Sequence, residues 1–443
     1  MSHRYNPHMP DAPSAETAYL FRHVLLREVA YQIQLPGDRA KLHALALRLL
    51  QDLLETPPLP APDSFGDRQF QPHAMDGAAE ELAVHAKMAQ LSAGEDLAAL
   101  REAELHYLWR AAVFARQRCD NARSIQLFEA AAMHPAADSV LRISALREHG
   151  WMLHTTAQPA VGLKSLEQAL AIARETGCTI EEARLLGILG LVAADSGNRD
   201  EASRLYRQAL ELQRLGAPPT DTSRTLTYLA AGMRDDFAAS EAMFREAIEL
   251  AQQGGDDRGV GVALANLAVR LVDQGRNSEG EATYREALLI QRKIGNKRIE
   301  GIVLANLALL LEEDNRLEEA ERLYEQALEC HRLYGNRRSE GFALGNLATL
   351  YGRTGRPELA RRTFEQALEI HAQLGARWNL AVHQCDYAVF LLGLGETTRA
   401  KELWQAGSQS LEKMGDKLEL ADKQKYMREA CRKAGVEPLD NLG

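Results

Sequence analysis

Aromatic residues make up only 6% of this 443-residue chain, and strand signals are nearly missing. That scarcity argues against a sheet-based architecture, which needs β-branched and aromatic residues on a pleated surface. No stretch approaches the roughly 20 consecutive apolar residues of a membrane-spanning helix. The N-terminal MSHRYNPHMPDAPSAE has no apolar run behind a basic start, so no secretory signal is expected. Five cysteines, Cys119, Cys178, Cys330, Cys385 and Cys431, form no C-x-x-C pair and leave an odd count. This argues against a disulfide framework and suits buried thiols in a reducing, cytoplasmic setting. The net charge of −10 comes from interleaved acids and bases without a long block of one sign. Nucleic acid and membrane are therefore not expected partners.

Catalytic signatures are lacking too. H-E-x-x-H, G-x-S-x-G, zinc-type Cys/His spacings and G-x-x-x-x-G-K-[ST] do not occur, and GLKS at 162–165 has no upstream glycine. Cys330 and His331 are neighbours on a helix, where adjacent side chains diverge by about 100°, so they do not make a nucleophile and base. His106, His134, His149 and His154 match no metal-ligand spacing. No enzyme, cofactor or metal is expected.

What the chain does have is a period. GVALANLAVR at 261–270, GIVLANLALL at 301–310 and GFALGNLATL at 341–350 are one helix written three times, and Gly255, Gly295, Gly335, Gly375 and Gly415 stand 40 residues apart. Each of these glycines precedes Asp, Asn or, once, Ala, as expected where a glycine ends one helix and an acceptor side chain caps the next. Leu264, Leu267, Ala268 and Leu271 form a one-sided stripe at helical spacing, and after Gly275 a second stripe follows in Tyr284, Ala287 and Leu288. The second stripe recurs as Tyr324, Ala327, Leu328 and as Phe364, Ala367, Leu368. Each unit reads as a helical hairpin with a large aromatic against small alanines.

Leu267, Ala268, Gly275, Gly280, Tyr284 and Ala287 closely resemble the tetratricopeptide-repeat pattern. So do Leu307, Ala308, Asn315, Ala320, Tyr324, Ala327 and Leu347, Ala348, Gly355, Ala360, Phe364, Ala367. Asn315 replaces the turn glycine and Gly280 the contact alanine, and the 40-residue spacing looks like the family's longer-helix variant. Weaker units surround Gly190, Gly197, Ala202, Tyr206 and Ala209; Leu229, Phe244 and Ala247; Gly150, Leu166 and Ala169; Ala112, Phe128 and Ala131. A last one holds Ala388, Gly395, Ala400 and Trp404. The expectation is an all-α fold with about eight hairpins over 101–414, closed by a capping helix and tail over 415–443. The resemblance implies a right-handed α-α superhelix, a solenoid whose first helices line the concave face.

On the first helix, Arg258, Val262, Asn266, Val269 and Asp273 cluster opposite the core stripe and are expected to face that groove. Copies follow as Arg298, Ile302, Asn306, Leu309, Glu313 and Arg338, Phe342, Asn346, Thr349, Arg353, and Asp386 continues the asparagine row. An asparagine amide offers both a donor and an acceptor, so a ladder of Asn266, Asn306 and Asn346 matches the backbone of an extended peptide. It also resembles the ladder of peptide-binding members of the family. The competing reading is a hydrogen bond between adjacent first helices that fixes their stagger. The arginines favour an acidic or C-terminal carboxylate ligand, or else pair with Glu300 and Glu340.

Upstream, residues 1–16 read as a disordered tail, 17–56 as a small helical N-terminal lobe, 57–77 as an extended proline-rich linker and 78–100 as a connecting helix. The order F-R-H-V-L-x-x-E-V-A-Y, Leu42-His43, E-L-A-x-H-A resembles the segment joining the nucleotide switch to the repeats in STAND signal-transduction ATPases. The ATPase motif itself is missing. Two readings of function follow: a scaffold binding an extended peptide of a partner protein, or a regulatory or sensor subunit whose catalytic part is another polypeptide.

Overall fold

The computed structural model describes residues 31–54, 73–91, 96–118, 120–156, 158–233 and 236–439. The expected tail 1–16, most of the proline-rich segment, the start of the N-terminal lobe and Cys119 lie outside them. Two compact units make up the chain, one ending at Ala217 and the other beginning at Pro218. Among the described residues the regular structure is helical throughout, an all-α repeat fold.

In the first unit α1 (Pro36–Leu54) and α2 (Ala79–Ala89) precede three hairpins: α3 (Leu97–Gln117) with α4 (Asn121–Ala132), α5 (Ser139–Thr155) with α6 (Pro159–Glu175), and α7 (Thr179–Asp195) with α8 (Arg199–Gln213). Ala44 and Leu47 of α1 and Leu82, Ala83, Ala86 and Ala89 of α2 share one core with Leu100 and Tyr107 of α3. Two boundaries differ from the sequence reading. Residues 78–100 are not one helix, because Asp96 caps a new one by accepting from the Ala98 and Ala99 amides. The end of the proline-rich stretch is not extended either: Ala74–Ala78 is a 3₁₀ turn capped by His73. There Met75 and Asp76 are buried and Asp76 pairs with Arg110 at 2.6 Å, which pins the turn to α3.

The second unit holds five hairpins and a last helix. They are α9 (Pro219–Gly232) with α10 (Phe237–Gln253), α11 (Asp257–Asp273) with α12 (Asn277–Lys293), α13 (Lys297–Glu313) with α14 (Leu317–Leu333), α15 (Arg337–Arg353) with α16 (Pro357–Gln373), α17 (Arg377–Gly393) with α18 (Thr397–Lys413), and α19 (Lys417–Ala434). The predicted stripes form its core: Leu307, Ala308, Tyr324, Ala327 and Phe364 have no exposed surface. The aromatics of the weaker units, Phe128, Tyr206, Phe244 and Trp404, are buried as well.

The seams follow from the glycine–acceptor dipeptides. The seam glycines Gly255, Gly295, Gly335, Gly375 and Gly415 have φ of 61–73°, the left-handed region that costs glycine least. Asp256, Asn296, Asn336 and Asp416 then cap the next helix through their side chains. Asn315 takes the same left-handed conformation, with φ of 60°, where the neighbouring hairpin turns carry Gly275 and Gly355. Gly280 has a packing reason, since a Cβ there would sit 2.6 Å from Val272 Cγ2. The last helix buries Met427 and Cys431 against the final hairpin and leaves Leu418 and Tyr426 in water, which makes it an end cap.

Candidate functional site

Successive first helices α11, α13 and α15 leave the same face half open. Arg258, Arg298 and Arg338 are exposed; Val262, Ile302, Phe342 and Asn266, Asn306, Asn346 are partly exposed; Val269 and Thr349 are partly exposed and Leu309 exposed. The residues one position to either side of each asparagine's row belong to the core, as Leu267, Leu307 and Leu347 do. The helical period therefore brings the predicted rows together on one face.

The three asparagines are not equivalent. Asn266 donates through Nδ2 to the Val262 carbonyl of its own helix at 2.9 Å, which leaves Oδ1 as its outward group. Asn306 has no hydrogen-bond partner among the described residues and keeps both functions. Asn346 is held: its Oδ1 accepts from His383 Nε2 at 3.4 Å, and its Nδ2 is buried without a partner. The interhelical lock is thus realised at one rung of three.

His383 was not singled out in the sequence, yet it organises this end of the row. It is fully buried on α17, with its ring 5.5 Å from Phe342 and stacked on His371 of α16 at 5.1 Å. The His371 Nε2–H donates to His383 Nδ1 at 3.0 Å when His383 carries its proton on Nε2, which completes a chain from His371 through His383 to Asn346. Burial and the Arg338 charge push His371 down to about 4, and burial, His371 and Lys423 hold His383 well below its ordinary value. Both are neutral near pH 7.

Asp386 is not an open continuation of the asparagine row. Lys423 of the end cap clamps it at 2.6 Å, so the open face closes at the last hairpin. The arginine row also departs from one expectation, because Glu300 is taken by Arg292 and Lys297, and Glu340 by Arg332 and Arg337. Arg298 and Arg338 have no ion-pair partner among the described residues. At the opposite rim Arg353 reaches across to Glu312, 3.0 Å away, so that position is spent in packing.

The four histidines of the early repeats do not converge. His134 meets Glu104 at 3.2 Å, His149 meets Ser165 at 3.1 Å and His154 meets Asp195 at 3.2 Å, while burial and Arg110 push His106 down to about 4. Among the described residues no group of three His, Cys, Asp or Glu is placed to share a metal, and no helix is long and apolar enough to cross a membrane.

Helical hairpins on a 40-residue period, joined by left-handed glycines and packed aromatic on alanine, define a helical-repeat protein. Residues 183–214 and the overlapping spans 262–332 and 300–373 match the tetratricopeptide repeat, and these segments are tetratricopeptide repeats. Three solved structures share the fold. A Rap protein complexed with Competence and Sporulation Factor aligns at a TM-score of 0.53 and 13% identity, over 76% of this chain and 99% of that one. A STAND protein with a tetratricopeptide repeat sensor from Pyrococcus horikoshii aligns at 0.53 and 13%, over 93% of this chain but only 62% of that one. Aspartyl phosphate phosphatase F from Bacillus subtilis aligns at 0.51 and 13%, over 79% and 96%. No curated protein matches the sequence.

Proposed function

We propose that this protein is an interaction scaffold that grips an extended segment of a partner protein along the half-open face of α11, α13 and α15. The observation that carries the reading is Asn306, in the middle of that face, with neither amide atom engaged and with arginines and apolar residues in rows beside it. Packed helices stand about 8–10 Å apart. A polyproline-type chain presents the same side every three residues, a rise of about 9.3 Å, so its backbone meets successive rungs in register. Asn266 then offers an acceptor to the segment and Asn306 both functions, while Asn346 serves to hold the wall. Arg298 and Arg338 supply cations to an acidic residue or a terminal carboxylate. The Rap structure, a complex with a bound factor, is in keeping with this use of the fold.

A random peptide library selected on the purified protein tests the proposal. Enriched peptides should be rich in Asp or Glu and lose about tenfold or more in affinity on Asn306→Ala, with a smaller loss on Asn266→Ala. A library that yields no enrichment, or peptides that bind Asn306→Ala as well as wild type, would sink it.

The sensor reading has one observation of its own. The fold likeness to the STAND protein extends over 93% of this chain, more than the repeats alone span. Under that reading a selected peptide changes amide exchange in α1 and α2, which a simple scaffold leaves unaltered.

A further inference from the structure

Ile294, Tyr334, Leu374 and Met414 each stand directly before a seam glycine, 40 residues apart, at the C-terminal caps of α12, α14, α16 and α18. They are 36%, 52%, 49% and 41% exposed, so four large apolar side chains form a row along one edge of the second unit. A cap residue ahead of a left-handed glycine satisfies its carbonyls with backbone, so the fold gives no reason for an apolar side chain in water at all four positions.

The row is flanked by unpaired positive charge. Arg298, Arg338, Arg377, Lys413 and Lys417 lie within a turn of the seams and have no ion-pair partner among the described residues. Most acids of the same edge are already held, exposed Glu412 being the exception. Glu300 and Glu340 are each held by two cations, Asp257 by Lys293 at 3.0 Å, and Asp416 accepts from Trp378 Nε1 at 3.0 Å. A chain of net charge −10 thus carries a cationic, apolar edge.

We propose that this edge docks an acidic amphipathic helix of a partner protein, its apolar stripe on the row and its carboxylates on the flanking cations. Spacing and the flanking charges together decide for a helix. Seven residues of α-helix rise about 10.5 Å and return to the same face, close to the spacing of about 8–10 Å between packed helices. A β-type chain at about 3.3 Å per residue crosses that distance in three residues and arrives with the opposite face. A polyproline-type chain keeps register, but its other two columns of side chains lie about 120° from the first and point away from the flanking cations, whereas a helix carries side chains close on both sides of its stripe. The narrow apolar row, widened only by exposed Leu333 and Leu418, suits the stripe of such a helix. A nucleic-acid backbone has no use for the row, and a bilayer calls for a broader apolar face.

The test uses the full chain and a fluorescent four-heptad peptide, glutamate-rich with leucine at every seventh position, beside a scrambled peptide of the same composition. Wild type should bind the patterned peptide in a salt-sensitive manner and the scrambled one at least about tenfold more weakly. Leu374→Glu and Tyr334→Glu should each weaken binding about tenfold, Arg377→Glu and Lys417→Glu less, and Asn306→Ala not at all. The milder Leu374→Ser and Tyr334→Ser keep the test open if a glutamate variant melts early. No binding, equal binding of the scrambled peptide, or equal affinity in the serine variants overturns the proposal. So does capture of phosphatidylserine vesicles or duplex DNA, lost in these variants, by a protein that ignores the peptide. A loss on Asn306→Ala would move the peptide into the groove and leave the edge empty.

Discussion

In the first unit ion pairs with a buried partner tie successive elements: Arg110 of α3 holds Asp76 of the 3₁₀ turn, Arg147 of α5 meets Glu181 of α7 at 2.6 Å, and the partly exposed Arg116 of α3 meets buried Glu148 of α5 at 2.5 Å. In the second unit the ties recur on the surface of the second helices, where Arg276 meets Glu241, Arg316 meets Glu281 and Arg356 meets Glu321, each across one hairpin boundary. Buried polar residues of the second unit also recur with the repeat, among them Gln291, His331 and His371 at one place and the ion-paired Glu300 and Glu340 at another. A buried ion pair with a buried cation fixes one geometry between two particular helices. A surface pair demands little of its surroundings and can be copied from seam to seam, as these are.

The largest effect should come from breaking the first kind of tie. Arg147 has no exposed surface, and Arg147→Ala takes from buried Glu181 one of its two cations, leaving only Arg184 on the same helix. With the space that the side chain fills, the expected loss is about 2–4 kcal/mol. Arg276→Ala, at a surface pair, should cost far less. Urea unfolding measures both, and amide exchange should place the Arg147 loss in the first unit. Equal small losses would mean that the buried pairs do not hold the hairpins.

Next in size is a close approach that the repeats share. A Cβ on Gly301 would lie 2.7 Å from the buried His331 ring, and one on Gly341 2.8 Å from that of His371. Gly301→Ala should therefore cost about 1–3 kcal/mol, well beyond the gain in helix propensity. A thermal melt that rises instead would show that the ring simply steps aside.

The hairpins and their core were legible because a 40-residue period displays every buried position several times. The lock on Asn346 was not, because His383 lies 37 residues ahead of it on another helix and is no repeat consensus. The signal was available in principle. Asp386 and Lys423, on first helices too, are also 37 residues apart, while the pairs between second helices are 35 apart. The period less three to five residues is the reach of one helix to its equivalent in the next hairpin, so lateral partners can be sought at that offset. What no offset supplies is which of two competing acceptors a side chain takes, as Glu300 shows by choosing Arg292 and Lys297.

Acidity should affect the second unit through its histidines. Burial pushes His331 from 6.5 to about 4, so between those values the unfolded chain holds the proton that the folded chain refuses. Stability is then complete above about pH 6.5 and lost as the pH falls, at up to about 1.4 kcal/mol per pH unit for each such group. Gln291 already occupies the equivalent place, which makes His331→Gln a conservative change. Near pH 7 the variant should stay within about 1 kcal/mol of wild type, and near pH 5 it should exceed wild type by about 1–2 kcal/mol. Parallel stability curves from pH 7 to pH 5 would show that His331 takes up its proton equally in both states.

The smallest effect tests whether the surface ties carry order. At three boundaries the glutamate of one second helix faces the arginine that opens the next, but at the last the signs are exchanged, with Arg361 on α16 facing Glu396 at the start of α18. Positions 241, 281 and 321 are Glu where 361 is Arg, and 276, 316 and 356 are Arg where 396 is Glu. Both partners are partly exposed, so the pair is worth only about 0.5–1 kcal/mol. Its sign matters more than its size, because an internal hairpin placed on α16 would bring arginine against arginine. Arg361→Glu should lower stability by about 1 kcal/mol, and Arg361→Glu with Glu396→Arg should restore most of it, a coupling of about 0.5–1 kcal/mol in a double-mutant cycle. If the double variant is no more stable than the sum of the singles predicts, the reversed pair contributes no order, and the place of the last hairpin rests on the core and on the His371–His383–Asn346 chain.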